Sequence, residues 1–513
     1  MTLPFNRFFL RPLVVVSSLV LLAGTAYAKG DLVVGLSGIA TRLDAQQLVT
    51  GSADAIASSL IYDTLVLRDA KGEFHPGIAE SWEVSKDGKT IRFTIRDGAT
   101  YHDGTPITAA SVKALFDSTL SPDNKSFGSG AYKPYIDSVT LDGDRAVVFN
   151  LKYPYAAALA LLAIPSGGIQ SPGSLGEQKL NESKAVVGSG PYRLVDWVPG
   201  DSITLEANPD YWGGKPAYDT ITLRQIPENE SRVLALETGE VGVINNLPST
   251  SIPSLKDTPG VTVHTFPSTR IQYLGFNNET PLLSNVKVRQ ALNYAIDRDA
   301  IVNTILTGIA SPATGVVSSN AWGYSNVGQY PYDPEKARSL LKEAGVSEGA
   351  KLELAVPETY LPGGRQIGEL LQANFKAVGI DATIKRYEWS TFQGVMEAHK
   401  GYEAYLLGWA SVTGDADRGL TPFSAFGVTA NFANYNNPQV FEGIGKAAQE
   451  VDPDARKATY RKVLEQLKED APWAPLAEIN YAIGTADNVG GAFVDHNGIL
   501  ILRYAAPYGQ AAQ

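Results

Sequence analysis

The chain has 513 residues, 44% of them hydrophobic, with 54 acidic against 43 basic side chains, a formal charge of -11 and no cysteine. That acidic balance, without clustered Lys and Arg, argues against nucleic-acid binding, and the length exceeds what one core serves, so two or three lobes are expected. The missing thiols exclude disulfides and a cysteine-borne lipid, and after residue 28 no apolar run approaches the roughly 20 residues of a membrane helix.

The first 28 residues have the form of a cleaved secretory signal. Arg7 and Arg11 precede an apolar stretch too short to span a bilayer, and Ala26-Tyr27-Ala28 is a small-residue cleavage site. A mature chain starting at Lys29, free in a Gram-negative periplasm, is the expectation. Strand-like and helix-like segments then alternate, which predicts an α/β architecture with mixed sheets. Residues 31–36 read as a strand and 55–62 as a helix ending in Ile61-Tyr62-Asp63-Thr64-Leu65.

Residues 76–113 read PGIAESWEVSKDGKTIRFTIRDGATYHDGTPITAASVK. Two β-rich stretches flank Lys86-Asp87-Gly88-Lys89, whose Asp-Gly pair favours a hairpin turn. His102-Asp103-Gly104 makes a second turn, and Thr108 stands where it caps a helix over 109–115. GSGPY over 188–192 is a structural turn rather than a phosphate cradle, because no helix start follows it. Residues 232–239 predict a Gly-capped helix before a strand over 240–244, and 268–277 an alternating strand. Residues 286–305 predict one amphipathic helix, Asp333 and Pro334 open another, and 351–388 follow the order strand, helix, strand.

With NPDYWGG over 208–214 and VRQALNYAID over 288–297, these runs resemble the peptide and nickel branch of bacterial extracellular solute-binding proteins, family 5, over essentially the whole mature chain. The resemblance implies a two-lobed periplasmic-binding-protein fold: lobe one from 29–60, 190–270 and 484–513, an inserted subdomain over 61–189, and lobe two over 271–483. It implies a monomer without cofactor or metal that closes on a small-molecule or peptide ligand and docks on an inner-membrane ABC permease.

Residues 407–419, LGWASVTGDADRG, resemble the family's cleft-entering Gly-Trp element. In the dipeptide-binding version an aspartate three residues after the Trp holds the ligand amine, and here that place is Val412. The form GWxxxTGxAD, with SPATGVV over 311–317, looks more like the glutathione-binding branch. Candidate ligand contacts are Trp409, Ser411, Thr413 and Asp415, the last as a replacement amine partner, together with Arg365, Arg270, Tyr273 and Trp322.

Rival classes find less support. There is no GxSxG elbow, and the SxxK matches at 284–287 and 339–342 lack companion motifs. Glu83 stands where a P-loop ending in Gly88-Lys89-Thr90 needs glycine, and His75, His102, His264, His399 and His496 lack metal-site spacing. An opine, a sugar conjugate or a nickel chelate on the same fold stays open as an alternative ligand.

Overall fold

The computed structural model describes residues 30–48, 53–174, 186–358, 360–425 and 430–507, and the expected leader lies outside them. Among the described residues no helix is long and apolar enough to cross a membrane. One eleven-stranded mixed sheet runs through both lobes, and a four-stranded antiparallel sheet forms the inserted subdomain. From one edge the large sheet takes Ile380–Tyr387, Ala350–Pro357, Ala404–Ala410, Val261–Phe276 and Trp473–Ala486. It continues through Val243–Ile244, Asp31–Leu36, Thr220–Gln225, Ser202–Ala207 and Tyr192–Val198, while the eleventh strand, Ala310–Pro312, pairs with Trp473–Ala486 off this path.

The two long strands Val261–Phe276 and Trp473–Ala486 pass between the lobes as an antiparallel ribbon. Their ladder breaks between Pro267 and Ile271. Pro267 brings no N–H, so the chain bulges there, and Ser268, Thr269 and Arg270 leave the pairing with Trp473–Ala486 while Arg270 stays opposite Ala410 of the next strand.

Each unit has its own core. Lobe one packs Leu32, Leu60, Tyr192 and Leu223 with the late residues Leu500 and Leu502. In lobe two Phe276, Leu292, Leu354, Phe375 and Leu406 share one cluster. The inserted subdomain centres on Phe93, Phe116 and Phe149, with Phe149 meeting Phe116 edge-on at 4.7 Å and Phe93 at 5.4 Å.

Local chemistry matches the sequence at the caps. Thr108 and Ser111 form a capping box at the head of Ala109–Leu120, and Asp333 accepts from the Lys336 N–H at 2.9 Å before Pro334–Glu343. Two expectations need correction. The helix over 286–305 is three pieces, Val286–Ala295, Arg298–Ala300 and the wide turn Ile301–Ile305, because Ile296 turns extended and Asp297 caps anew. The strand over 240–244 shrinks to Val243–Ile244, its first residues being spent on the turn that follows Asn229–Glu237.

Glycine 190 of GSGPY is a close-approach residue: a Cβ there would lie 2.5 Å from the Leu60 carbonyl oxygen. His102 braces the same turn. Its Nδ1 accepts from the Gly188 N–H at 3.3 Å, so Nε2 carries the proton and donates to the Gly190 carbonyl at 3.0 Å. Burial pulls this imidazole below its ordinary range, which leaves His102 a neutral strut.

Candidate functional site

The strand Ala404–Ala410 sets Trp409 opposite Ile271 on the crossing strand, and the chain then turns through 411–419 toward the inserted subdomain. Gly414 is required at the apex, with φ +72° and a Cβ position 2.6 Å from Arg68 Nη2. Asp415 caps the short helix Ala416–Gly419 by accepting the Asp417 N–H at 3.1 Å.

This loop is bonded directly across the cleft. Tyr155 of the inserted subdomain donates its hydroxyl to the Asp417 carboxylate, which also accepts from Thr413 Oγ1 at 3.1 Å. Arg68 donates through Nη1 to the Thr413 carbonyl at 2.7 Å and through Nε to Gly72 at 3.0 Å. A cavity of about 430 Å³ opens along the seam, between Arg68, Phe74 and Tyr155 on one side and Trp322, Asp415 and Arg456 on the other.

The structure brings together most of the residues singled out from sequence and separates two, Arg365 and Tyr273. Trp409 is half-buried and donates its indole N–H to the Arg418 carbonyl at 3.0 Å, and Ser411 donates its hydroxyl to the Asp415 carbonyl. Thr269 Oγ1 donates to the Ser411 carbonyl at 2.9 Å, which ties the bulge carrying Arg270 to this loop. Trp322 lies over the Arg456 guanidinium at 4.5 Å.

Asp415 is not a free carboxylate. Arg456 grips it bidentately, Nη1 to Oδ2 at 2.7 Å and Nη2 to Oδ1 at 2.8 Å, with both side chains buried. Burial and the neighbouring Asp417 push its carboxyl up to about 6, against the pull of Arg456. Arg365 points to solvent, 69% exposed, and pairs with Glu369 one turn along its own helix. Tyr273 is core, its ring stacked on Trp473 at 3.5 Å. Residues 313–317 line a small void inside lobe two beside Arg298 and Tyr330.

Among the described residues Asp69, Glu73 and His75 bring ligand-type atoms within 4.8 Å of one another on an exposed turn. The turn itself accounts for the cluster: Asp69 Oδ1 accepts the Lys71 and Glu73 N–H groups, each at 2.9 Å, and Oδ2 meets His75.

Sequence reading missed the partners Arg68, Tyr155, Arg418 and His496. His496 Nε2 lies 2.9 Å from Arg68 Nη1 and 3.2 Å from the Val412 carbonyl. A guanidinium only donates, so Nε2 accepts from Arg68, and Val412 is served instead by Asn497 Nδ2 at 3.0 Å. Burial, then Arg68, push His496 down from 6.5 to about 3. Burial pushes the adjacent Asp495 up from 3.8 to about 6, although it accepts the Asn497 and Ile499 N–H groups.

These two groups drive stability in opposite directions. The folded chain refuses the His496 proton that the unfolded chain takes, so this contribution is lost as pH falls from 6.5 toward 3. Asp495 keeps a proton that the unfolded chain has released, so its contribution is lost as pH rises from 3.8 toward 6. Over pH 4 to 6 the slopes oppose. His496→Gln removes the first, and denaturant titrations should show the variant gaining about 1 to 2 kcal/mol relative to wild type between pH 7 and pH 5. An unchanged gap would mean that His496 titrates normally in the folded protein.

The chain is similar to known proteins over most of its length. The family model described as bacterial extracellular solute-binding proteins, family 5 Middle, matches residues 73–430. The glutathione-binding protein GsiB of Escherichia coli (strain K12) is 30% identical over 483 residues, 92% of this chain and 94% of its own length. The dipeptide binding protein of Pseudoalteromonas sp. SM9913, solved in complex with Met-Leu, is 26% identical with a TM-score of 0.80, covering 93% of this chain and 100% of that one. AgaA from A. tumefaciens R10, solved with agropinic acid, is 27% identical with a TM-score of 0.77, covering 92% of this chain and 96% of its own. The chain belongs to the bacterial extracellular solute-binding proteins of family 5.

Proposed function

We propose that this protein is the periplasmic receptor of an ABC importer, exported with a cleaved leader and acting by binding without chemistry. It takes a short peptide, glutathione-like or a di- to oligopeptide, between its lobes and presents the closed form to an inner-membrane permease. It works as a monomer and needs no cofactor. Lobe one is drawn from 29–60, 190–270 and 484–513, and the solute meets Trp409, Ser411, Thr413, Arg270 and Trp322.

The observation that carries this reading is the seam from Arg68 to Thr413 and from Tyr155 to Asp417. Those bonds require the inserted subdomain and the 411–419 loop to be together, so a solute touching both sides favours the closed state, whereas equal affinity for open and closed forms shifts nothing. The relatives named for glutathione binding support the peptide class.

A thermal-shift screen of purified, ligand-stripped protein tests it. Glutathione or one class of di- to pentapeptide is expected to raise the melting point, with stabilisation of about 2.7 kcal/mol at a hundredfold excess over Kd. A shift with agropinic acid or a nickel–histidine chelate, and none with any peptide, would overturn the peptide assignment.

A further inference from the structure

The buried charges beside the cleft are unevenly satisfied. Asp415 is held by Arg456, Asp417 by Tyr155 and Thr413, and Glu478 by the Ser319 N–H at 2.9 Å and the hydroxyls of Ser318 and Ser319. Two arginines differ. Arg270 Nε and Nη2, and Arg418 Nε, are closed off from solvent and make no well-formed hydrogen bond among the described residues, although the Tyr360 and Tyr481 hydroxyls lie near the first guanidinium and the Asp417 carboxylate near the second.

Both guanidinium groups are held in place by aromatic faces. Arg270 lies over Tyr360 at 4.9 Å, and Tyr360 is itself stacked on Trp389 at 3.7 Å. Gly408 leaves room for it, since a Cβ there would come within 2.9 Å of Arg270 Nε. Arg418 reaches from lobe two over Tyr135 of the inserted subdomain at 5.2 Å. Trp409 stands between them in the chain path: its neighbour Gly408 is covered by Arg270, and its indole N–H binds the Arg418 carbonyl.

A buried charge without its partners costs several kcal/mol, and a planar fork held by stacking is organised in advance for a carboxylate. Resting on the solute-receptor reading above, we propose that the solute carries two separated acidic groups, one taken by Arg270 and the other by Arg418. The ligand class is a dicarboxylate, as a γ-linked or acidic short peptide would be. Val412 has no carboxylate and that of Asp415 is taken by Arg456, so neither position receives an ammonium, which agrees with a site that selects for negative charge.

The test is calorimetry on ligand-stripped protein with glutathione, Glu-Glu, Ala-Ala, glutathione diethyl ester and adipate, on wild type, Arg270→Met and Arg418→Met. Glutathione or Glu-Glu should bind, the diester and Ala-Ala should not, and each variant should lose roughly 10- to 150-fold in affinity. Melting of unliganded Arg270→Met should be unchanged or higher, because an unpaired buried charge has gone, whereas a purely structural arginine would lower it. If a variant fails to fold, the two glutathione monoesters on wild type each remove one acidic group and should each weaken binding. Neutral probes binding as tightly as diacids, or variants retaining affinity, would overturn the two-arginine site and leave the receptor reading standing. Adipate binding without any peptide would keep the site and overturn the peptide reading. Failure of every diacid to bind would overturn the site.

Discussion

Asp63→Ala should destabilise the protein by about 3 to 5 kcal/mol, measured by urea denaturation. Asp63 follows the helix Ala53–Ile61 and is fully buried, and four groups converge on it. Arg503 Nη1 donates to Oδ1 at 2.6 Å, while the Tyr211 hydroxyl at 3.0 Å and the Trp212 indole at 2.6 Å donate to Oδ2. Its backbone N–H is taken by Ser189 Oγ at 3.0 Å. Removing the carboxylate leaves the buried Arg503 cation without its counter-ion and the Tyr211 hydroxyl and Trp212 indole N–H without their acceptor. Arg503→Met should cost a similar amount by leaving the anion alone, and Asp63→Leu with Arg503→Met should recover much of the loss, because removing both charges also removes their desolvation. A loss under about 1 kcal/mol for Asp63→Ala would show that the network is not what fixes the C-terminal segment to lobe one.

Asp415→Asn should act first on stability, again by about 3 to 5 kcal/mol, and on ligand affinity only as a consequence. The carboxylate holds Arg456, caps Ala416–Gly419 and stands next to Trp322, so neutralising it loosens the whole 411–419 loop. Arg456→Met provides the discriminating comparison. If Asp415 serves Arg456, both variants lower the melting point and weaken ligand together. If Asp415 bound the ligand amine directly, Arg456→Met would leave affinity nearly intact.

The run VRQALNYAID was legible as a family signature, and its physical reason is now visible. Arg289 donates to the carbonyls of Leu283, Ser284 and Asp470, and Asn293 supports Arg298, so these polar residues tie off buried backbone groups rather than face ligand. Caps and turns were readable because their chemistry is local: Thr108, Asp333 and the Asp87-Gly88 turn need only neighbours a few residues away. The site was less readable because its meaning lies in pairing across long stretches of chain. Asp415 reads as a free acid until Arg456 is placed against it, and Arg365 reads as a carboxylate fork until its helix turns it to water. Arg418 sat in the quoted segment without being singled out, and the signal that could have found it was the one cation of a loop whose other charges are Asp415 and Asp417.

Lobe one is stitched from distant pieces of chain. Asp31–Leu36 pairs with Thr220–Gln225 and with Val243–Ile244, Val243 lies opposite Thr485, and Arg503 reaches Asp63 across 440 positions. A ribosome delivers these pieces in order, so the core around Leu32 and Leu60 waits for Leu500 and Leu502 before it can close. Contacts so far apart in sequence form slowly. Lobe one of the nascent molecule thus stays open until Leu500 and Leu502 have been made, so its stability arrives with the end of synthesis rather than along the way.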